Sequence, residues 1–357
     1  MGALRRKLTR AGLPGLLVTH PPDIRYLCGF SGSDAALAIT HLRARLFTDG
    51  RFTAQTSEEV RAAEVEIGSG ITAVAASQWL AAEPGVEMAG FDATKTTVAE
   101  LAHWIHELPS QLRREFFQAL PAPFIEMLRM VKDADELALM SEAALKGCQL
   151  FDHILLFLRP GITEVEVAAE LEHRARLLGA EGMSFETIVA SGLRSAMPHG
   201  RATVAPLPRH GFVTMDFGII LNGYCSDMTR TVFLGTPKQE ERDAYQTVLE
   251  AQQAGVAAVA AGVSCAEVDE AARGVLRRAG FGDAFTHATG HSVGLEIHEP
   301  PRIGAGQAMR LQAGMVVTVE PGIYLAGRFG IRIEDTVAVT DAGCQVLTPS
   351  PKALIEL

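Results

Sequence analysis

The sequence predicts an α+β protein in two parts: a small α/β domain over residues 1–123, then a larger domain over 124–357 built from two related halves. Three observations predict it. Short apolar strand patterns alternate with helical ones before residue 123. Two prolines interrupt the chain at Leu120-Pro121-Ala122-Pro123 and break any regular element there. After that point a helix-then-strand pattern recurs at a spacing of roughly a hundred residues, too long for a solenoid unit and suited to one duplicated half packed on its copy.

The chain's 357 residues fit two domains at ~150 residues each. A hydrophobic fraction of 48% with 21% charged residues excludes wholesale disorder. A net charge of −10 argues against broad nucleic-acid binding, which needs a basic face. Cys28, Cys148, Cys225, Cys265 and Cys344 are odd in number and lack Cys-x-x-Cys spacing, so a reducing, cytoplasmic setting is expected rather than a disulfide framework. The basic start Met1–Lys7 is followed by an apolar stretch that Arg10 and Pro14 interrupt, so no signal peptide is expected there, and the longest apolar run, Val256–Val263, is too short to cross a bilayer. No membrane partner is expected.

Within the first part, Gly15–Thr19, Ala35–Thr40 and Arg45–Thr48 read as strands, and Val98–Leu108 as a helix stopped by Pro109. The second part opens with a long amphipathic helix. Leu137, Met140, Ala144, Cys148, Phe151 and Leu155 share one face, Asp133 and Glu136 form its capping box, and Pro160-Gly161 ends it. Gly161-Ile162-Thr163 with Glu166 then recurs as Gly262-Val263-Ser264 with Glu267, each opening a helix that ends in Gly179 or Gly280. Val213-Thr214-Met215-Asp216-Phe217-Gly218-Ile219 recurs as Val317-Thr318-Val319-Glu320-Pro321-Gly322-Ile323, and Asp227-Met228-Thr229 as Glu334-Asp335-Thr336.

The duplicated segments carry acids. Asp216 and Asp227 flank Asn222-Gly223, a strong two-residue hairpin signal that sets residue 218 opposite 227. Asp216 is then a diagonal neighbour of Asp227 on the same face, their Cα atoms about 7–8 Å apart. Glu320 and Glu334 flank a loop near Gly327–Gly330, and share a face if that loop has an odd residue count. Four buried carboxylates would repel one another without cations. Pairing with Arg230 and Arg332 covers one or two of them, so a metal site is the better reading, with Mn²⁺ favoured and Co²⁺, Fe²⁺ or Zn²⁺ compatible once an imidazole joins.

His287, His291 and His298 fall within twelve residues, between glycines and Pro300-Pro301, and His199 lies in a loop-like Pro198-His199-Gly200. His287 and His291 have the i, i+4 step of a zinc-binding helix, but no His-Glu-x-x-His is present and Gly290 and Gly294 oppose a helix. His20, His41, His103, His106, His153, His173 and His210 have no such setting.

Together, Pro198-His199-Gly200, Met215-Asp216-Phe217-Gly218, Ser226-Asp227-Met228-Thr229-Arg230-Thr231, Gly290-His291-Ser292-Val293-Gly294, Glu320-Pro321-Gly322-Ile323-Tyr324 and Ile331-Arg332-Ile333-Glu334-Asp335 resemble the creatinase, prolidase and methionine aminopeptidase family, the pita-bread metallopeptidases. Asp23-Ile24-Arg25-Tyr26-Leu27 with Gly29-Phe30-Ser31-Gly32 looks like the creatinase-type N-terminal domain. Ala288 and Ser292 stand where the family often has glycine. The resemblance implies a pita-bread fold in the second part. It also implies two divalent ions held by Asp216, Asp227, His291, Glu320 and Glu334, with His199, His287 and His298 facing substrate and Arg332 orienting it. It further implies hydrolysis of a peptide with penultimate proline, in which Glu320 moves a proton, and a homodimer. An Xaa-Pro aminopeptidase is the leading reading and an Xaa-Pro dipeptidase the alternative, with loops near Met183–Met197 and in the N-terminal domain deciding substrate length. Metal-free creatinase-like chemistry and a non-catalytic binding protein both conflict with the filled ligand positions.

Overall fold

The computed structural model describes residues 1–113, 115–121 and 123–357, so Ala122 of the expected proline boundary lies outside the described residues. The chain divides into two compact units, Met1–Arg129 and Met130–Leu357.

The first unit is a six-stranded mixed sheet with helices on both faces. Its strands are β1 (Gly15–Val18), β2 (Ala35–Thr40), β3 (Ala44–Asp49), β4 (Glu64–Gly68), β5 (Ala89–Phe91) and β6 (Phe117–Ala119), in the order β4-β3-β2-β1-β5-β6. Its helices are α1 (Gly2–Ala11), α2 (Pro21–Cys28), α3 (Thr53–Glu59), α4 (Thr72–Ala82), α5 (Val98–Glu107) and α6 (Glu126–Arg129). Strand alternation separates two cores. Leu16, Val18, Leu37 and Ile39 pack with Leu4, Leu8 and Ile24 on one face, while Leu17, Ala36, Ala38 and Phe47 pack with Ala76, Leu80 and Trp104 on the other.

The sequence reading ends this unit at residue 123, and the structure carries it on through α6. The reason is an ion pair: Arg129 Nη1 meets Asp23 Oδ1 at 2.7 Å with both side chains almost fully buried, and Tyr26 donates to Leu128 O at 2.8 Å. The prolines interrupt regular structure, but these contacts keep the segment beyond them in the same unit.

The second unit holds two related halves. The first has α7 (Ala134–Phe157) and α8 (Glu164–Leu177) packed on strands β7 (Gly182–Met183), β8 (Ile188–Ser191), β9 (Gly211–Phe217), β10 (Ile219–Leu221), β11 (Tyr224–Cys225) and β12 (Met228–Leu234). The second has α9 (Gln239–Ala258) and α10 (Cys265–Arg278), with strands β13 (Gly290–Ser292), β14 (Glu299–Ile303), β15 (Val316–Val319), β16 (Gly322–Leu325), β17 (Phe329–Arg332), β18 (Asp335–Thr340) and β19 (Gly343–Val346). The capping boxes expected at Asp133, Thr163 and Ser264 form, with Glu136, Glu166 and Glu267 as their partners. Helix pairs α7–α8 and α9–α10 occupy equivalent places before the two strand sets.

The strand registers aim the acids. Asn222 and Gly223 take φ of 47° and 77°, the type I′ tip that Asn-Gly signals, between paired Leu221 and Tyr224. That register runs on to Thr229 opposite Asp216. Gly218 is required here, because a Cβ would meet Ser226 O at 1.8 Å. In the second half Val319 faces Asp335 and Gly322 faces Arg332, which sets Glu320 directly opposite Glu334. The loop between paired Leu325 and Phe329 holds Ala326, Gly327 and Arg328, the odd count needed for a shared face. Asp216 therefore faces Thr229 while its counterpart Glu320 faces Glu334, a two-residue register difference that leaves the face unchanged.

The halves meet along β12, β17 and β18. Glu334 N donates to Thr229 O at 3.2 Å, Thr231 Oγ1 to Arg332 O at 2.8 Å and Thr336 Oγ1 to Asp227 O at 2.7 Å.

Candidate metal centre

Asp216 lies near the end of β9, Asp227 just before β12, His291 in β13, Glu320 just after β15 and Glu334 between β17 and β18. Asp216, Asp227 and Glu334 are buried, and each offers a carboxylate oxygen within 4.8 Å of the other two. His291 Nε2 lies 3.5 Å from Asp227 Oδ2 and 3.5 Å from Glu320 Oε1. All five residues expected as ligands thus come into one cluster.

Electrostatics show what the cluster lacks. Burial, then the neighbouring acids Glu334, Asp216 and Glu320, push Asp227 well above the usual carboxylate range. Burial, Glu320 and Asp216 do the same to Glu334. Burial pushes Glu320 up to about 8, with Asp216 adding to it and Arg332 opposing it. Arg332 Nη2 meets Asp216 Oδ2 at 2.6 Å, while Arg230 turns away to Asp335 Oδ1 at 2.9 Å. Arginine pairing therefore neutralises one of the four acids. The other oxygen of that pair, Asp216 Oδ1, is buried with no hydrogen-bond partner.

His291 sharpens the deficit. Its Nδ1 donates to Ser292 O at 3.1 Å, and burial, with His298 adding to it, lowers its pKa to about 4. The imidazole is neutral at pH 7, so the lone pair of Nε2 faces two carboxyl oxygens whose groups the crowding drives to hold protons, and a bound cation would take the place of those protons. Oxygen-rich donors, one imidazole and an orphaned buried oxygen fit hard or borderline divalent cations.

A chain of hydrogen bonds runs outward from Arg332. Its Nε donates to Thr229 Oγ1 at 3.1 Å, and Thr229 donates to Glu334 Oε2 at 2.7 Å. Its Nη1 donates to Tyr324 Oη at 2.8 Å and to Pro198 O at 3.0 Å, beside His199. His287 Nδ1 donates to Ala288 O at 2.8 Å, which leaves Nε2 to accept from Tyr324 Oη at 2.8 Å. Burial first, then Arg332, lowers the His287 pKa to about 4, consistent with this neutral form. The His298 and His291 rings meet edge to face at 4.4 Å. His199, His287, His298 and Arg332 therefore all lie around the acid cluster.

Sequence reasoning missed Tyr324, Thr229, Thr318 and Arg302. Thr318 Oγ1 accepts from His291 N at 3.0 Å and donates to Glu320 Oε1 at 3.3 Å, tying two cluster members together. Tyr324 had a signal, since positions 320, 322 and 324 share parity on an extended chain. Arg302 pairs with His291 across β13 and β14, so both side chains leave the same face of the sheet. It is exposed, and among the described residues it makes no ion pair.

Residues 138–341 match metallopeptidase family M24, and residues 1–131 match the creatinase/prolidase N-terminal domain. The chain belongs to metallopeptidase family M24 and has the pita-bread fold that its motifs imply. It is 38% identical over 355 residues to the uncharacterized peptidase YqhT of Bacillus subtilis (strain 168), covering 99% of each chain. Among solved structures, the Xaa-Pro dipeptidase from Bacillus anthracis is 39% identical with a TM-score of 0.94, over 99% of this chain and 98% of that one. The X-Pro aminopeptidase from Thermotoga maritima MSB8 is 33% identical with a TM-score of 0.90, over 99% of this chain and 100% of that one.

Proposed function

We propose that this protein is a metal-dependent Xaa-Pro dipeptidase of the prolidase type. The observation that carries the hydrolytic reading is the unneutralised donor set: Asp216 Oδ1 without a partner, and the His291 Nε2 lone pair facing Asp227 and Glu320. Asp216, Asp227, His291, Glu320 and Glu334 would hold two divalent ions, with manganese expected. When bound, such ions supply Lewis acidity at the scissile carbonyl and lower the pKa of an attacking water.

The chain's own residues do the rest. Glu320, at the rim of the cluster, takes the proton of the attacking water and returns it to the leaving nitrogen. His298 and His199 hydrogen-bond the oxygen on which charge develops. Arg332 fixes Asp216 and, through Thr229, Glu334. An Xaa-Pro bond suits this surround, because its nitrogen carries no N–H and asks for no acceptor.

Two features support the dipeptide over a longer peptide, reversing the order expected from sequence. The chain resembles the Bacillus anthracis dipeptidase more than the Thermotoga maritima aminopeptidase, in identity and in TM-score. Arg302, exposed on the His291 face and in no ion pair among the described residues, suits the free carboxylate that a dipeptide's proline carries and an internal proline lacks. A homodimer in the cytoplasm completes the proposal.

The test compares hydrolysis of Ala-Pro and Ala-Pro-Ala by protein loaded with Mn²⁺, Co²⁺ or Zn²⁺, with metal content read by elemental analysis. Faster turnover of Ala-Pro with two ions per chain is expected. A clear preference for Ala-Pro-Ala returns the assignment to an aminopeptidase, and inactivity on both removes the proline reading.

A further inference from the structure

Asp269, in the second turn of α10, is 1% exposed and stands outside the acid cluster. Arg273, one turn on, neutralises it through two bonds of 2.9 Å, Nε to Oδ2 and Nη2 to Oδ1. Such a pair is weak evidence for stability, because well-packed apolar residues of similar volume do as well or better.

What distinguishes the pair is the segment it grips. Arg273 Nη1 donates to Phe285 O at 3.1 Å and Nη2 to His287 O at 2.8 Å, with the guanidinium 4.1 Å over the Phe285 ring. Asp269 Oδ1 accepts from Thr289 Oγ1 at 2.7 Å and from Thr289 N at 3.3 Å. Residues 285, 287 and 289 are thus held at alternate positions along the irregular segment that leads into β13. The grip passes onward, because Thr289 O accepts the backbone N–H of Glu320 at 2.7 Å. One ion pair, touching neither the acid cluster nor Tyr324, sets the backbone of both His287 and Glu320.

Resting on the peptidase reading above, we propose that Asp269 and Arg273 are positioning residues that hold His287 and Glu320 in register with the acid cluster. The second bond of His287, from Tyr324 Oη to Nε2, forms only if the 285–289 segment stays where the pair puts it.

The test replaces the pair by apolar residues, Asp269→Leu with Arg273→Met, in the full-length protein. A merely structural pair predicts a lower melting temperature, because Thr289, Phe285 O and His287 O lose their partners, with unchanged kinetics well below that temperature. We expect unchanged metal content but a kcat/KM on Ala-Pro, measured well below the variant's melting temperature, lower by about 10- to 100-fold, the scale of an ångström-sized misplacement. A second readout needs no turnover. In the metal-free wild type, ¹⁵N NMR of the His287 ring shows one tautomer, protonated at Nδ1, and in the variant the two tautomers average. Unchanged kinetics overturn the proposal, and so does an unchanged His287 spectrum. If the double variant does not fold, Thr289→Val removes one hydroxyl bond and carries both readouts, with a loss of roughly 3- to 10-fold expected. Wild-type inactivity on every Xaa-Pro substrate would overturn the substrate assignment instead, and the NMR comparison would still decide the positioning role.

Discussion

Arg332 Nη2 donates to Asp216 Oδ2 at 2.6 Å and leaves Asp216 Oδ1 buried without a partner. The same guanidinium reaches Glu334 through Thr229, so one side chain orients two of the four acids. A lysine would keep the charge but could not fork between Asp216, Thr229 and Tyr324. Arg332→Lys is expected to lose about 10²- to 10³-fold in kcat on Ala-Pro, the scale of a lost electrostatic donor at a reacting centre. Arg332→Met should also destabilise the metal-free protein by about 3–5 kcal/mol, read by denaturant unfolding, because it strands a buried charge. Near-normal turnover by Arg332→Lys would contradict the orienting role.

The pH dependence of the metal-free protein follows from Glu320 and the histidines. Glu320 rises from 4.5 to about 8 in the folded chain, so its contribution to stability is complete below 4.5 and is lost as pH climbs through 8. His287 and His291 fall from 6.5 to about 4, so theirs is complete above 6.5 and is lost as pH drops towards 4. Between pH 6.5 and 8 the histidines no longer contribute a change, Asp227 and Glu334 act in the same direction as Glu320, and the melting temperature in chelator should fall as pH rises. Divalent ions compete with those protons, so metal affinity should rise across the same window and loading should flatten the decline. Glu320→Gln should weaken the decline in chelator while lowering kcat by about 10²- to 10⁴-fold. A chelated wild type whose melting temperature climbs from pH 6.5 to 8 would be incompatible with a crowded acid cluster.

Legibility in the sequence tracked how local each cause was. The Asn222-Gly223 turn fixed its own register, and with it the diagonal placement of Asp216 and Asp227. The Glu320–Glu334 register depended on a loop whose length the sequence left open, and only the pairing of Leu325 with Phe329 made it three residues. Asp269 and Arg273 look in sequence like an ordinary i, i+4 surface pair. The burial of Asp269 comes from the 285–289 segment folding over α10, which no local pattern announces. Arg302 was hidden for a related reason, since a register shift between His291 and Ser292 makes its opposition to His291 uncountable from spacing. The unit boundary was misplaced by two prolines that break elements locally, whereas Asp23 and Arg129 bind across 106 residues.

Arg302 carries the prediction on substrate length. Directly opposite residues in an antiparallel pair lie on one face, so its side chain leaves the face from which the His291 imidazole projects. A charge-assisted hydrogen bond to a carboxylate contributes about 1.5–3 kcal/mol. Arg302→Leu should therefore raise KM for Ala-Pro by roughly 10- to 100-fold while leaving Ala-Pro-amide, which lacks the carboxylate, little changed. Equal losses on the acid and the amide would remove Arg302 from carboxylate recognition.

The first unit offers a test that involves no chemistry at all. Asp23 is fully buried, and Arg129 Nη1 meets its carboxylate at 2.7 Å from the far side of the proline segment. A fragment ending at Pro123 would keep the whole sheet but leave Asp23 buried without that cation, and would also lose the Tyr26 bond to Leu128 O. Stranding one member of a buried pair costs about 3–5 kcal/mol, a large share of a small domain's stability of about 5–15 kcal/mol. Fragment 1–129 is therefore expected to unfold cooperatively in urea, with 1–123 shifted to a much lower midpoint or unfolded outright. Asp23→Asn within 1–129 separates the pair from the added length, because it breaks the pair, leaving Arg129 buried without its anion, and keeps α6. If 1–123 matches 1–129, the proline segment is the true end of the unit and the Asp23–Arg129 pair adds nothing to it.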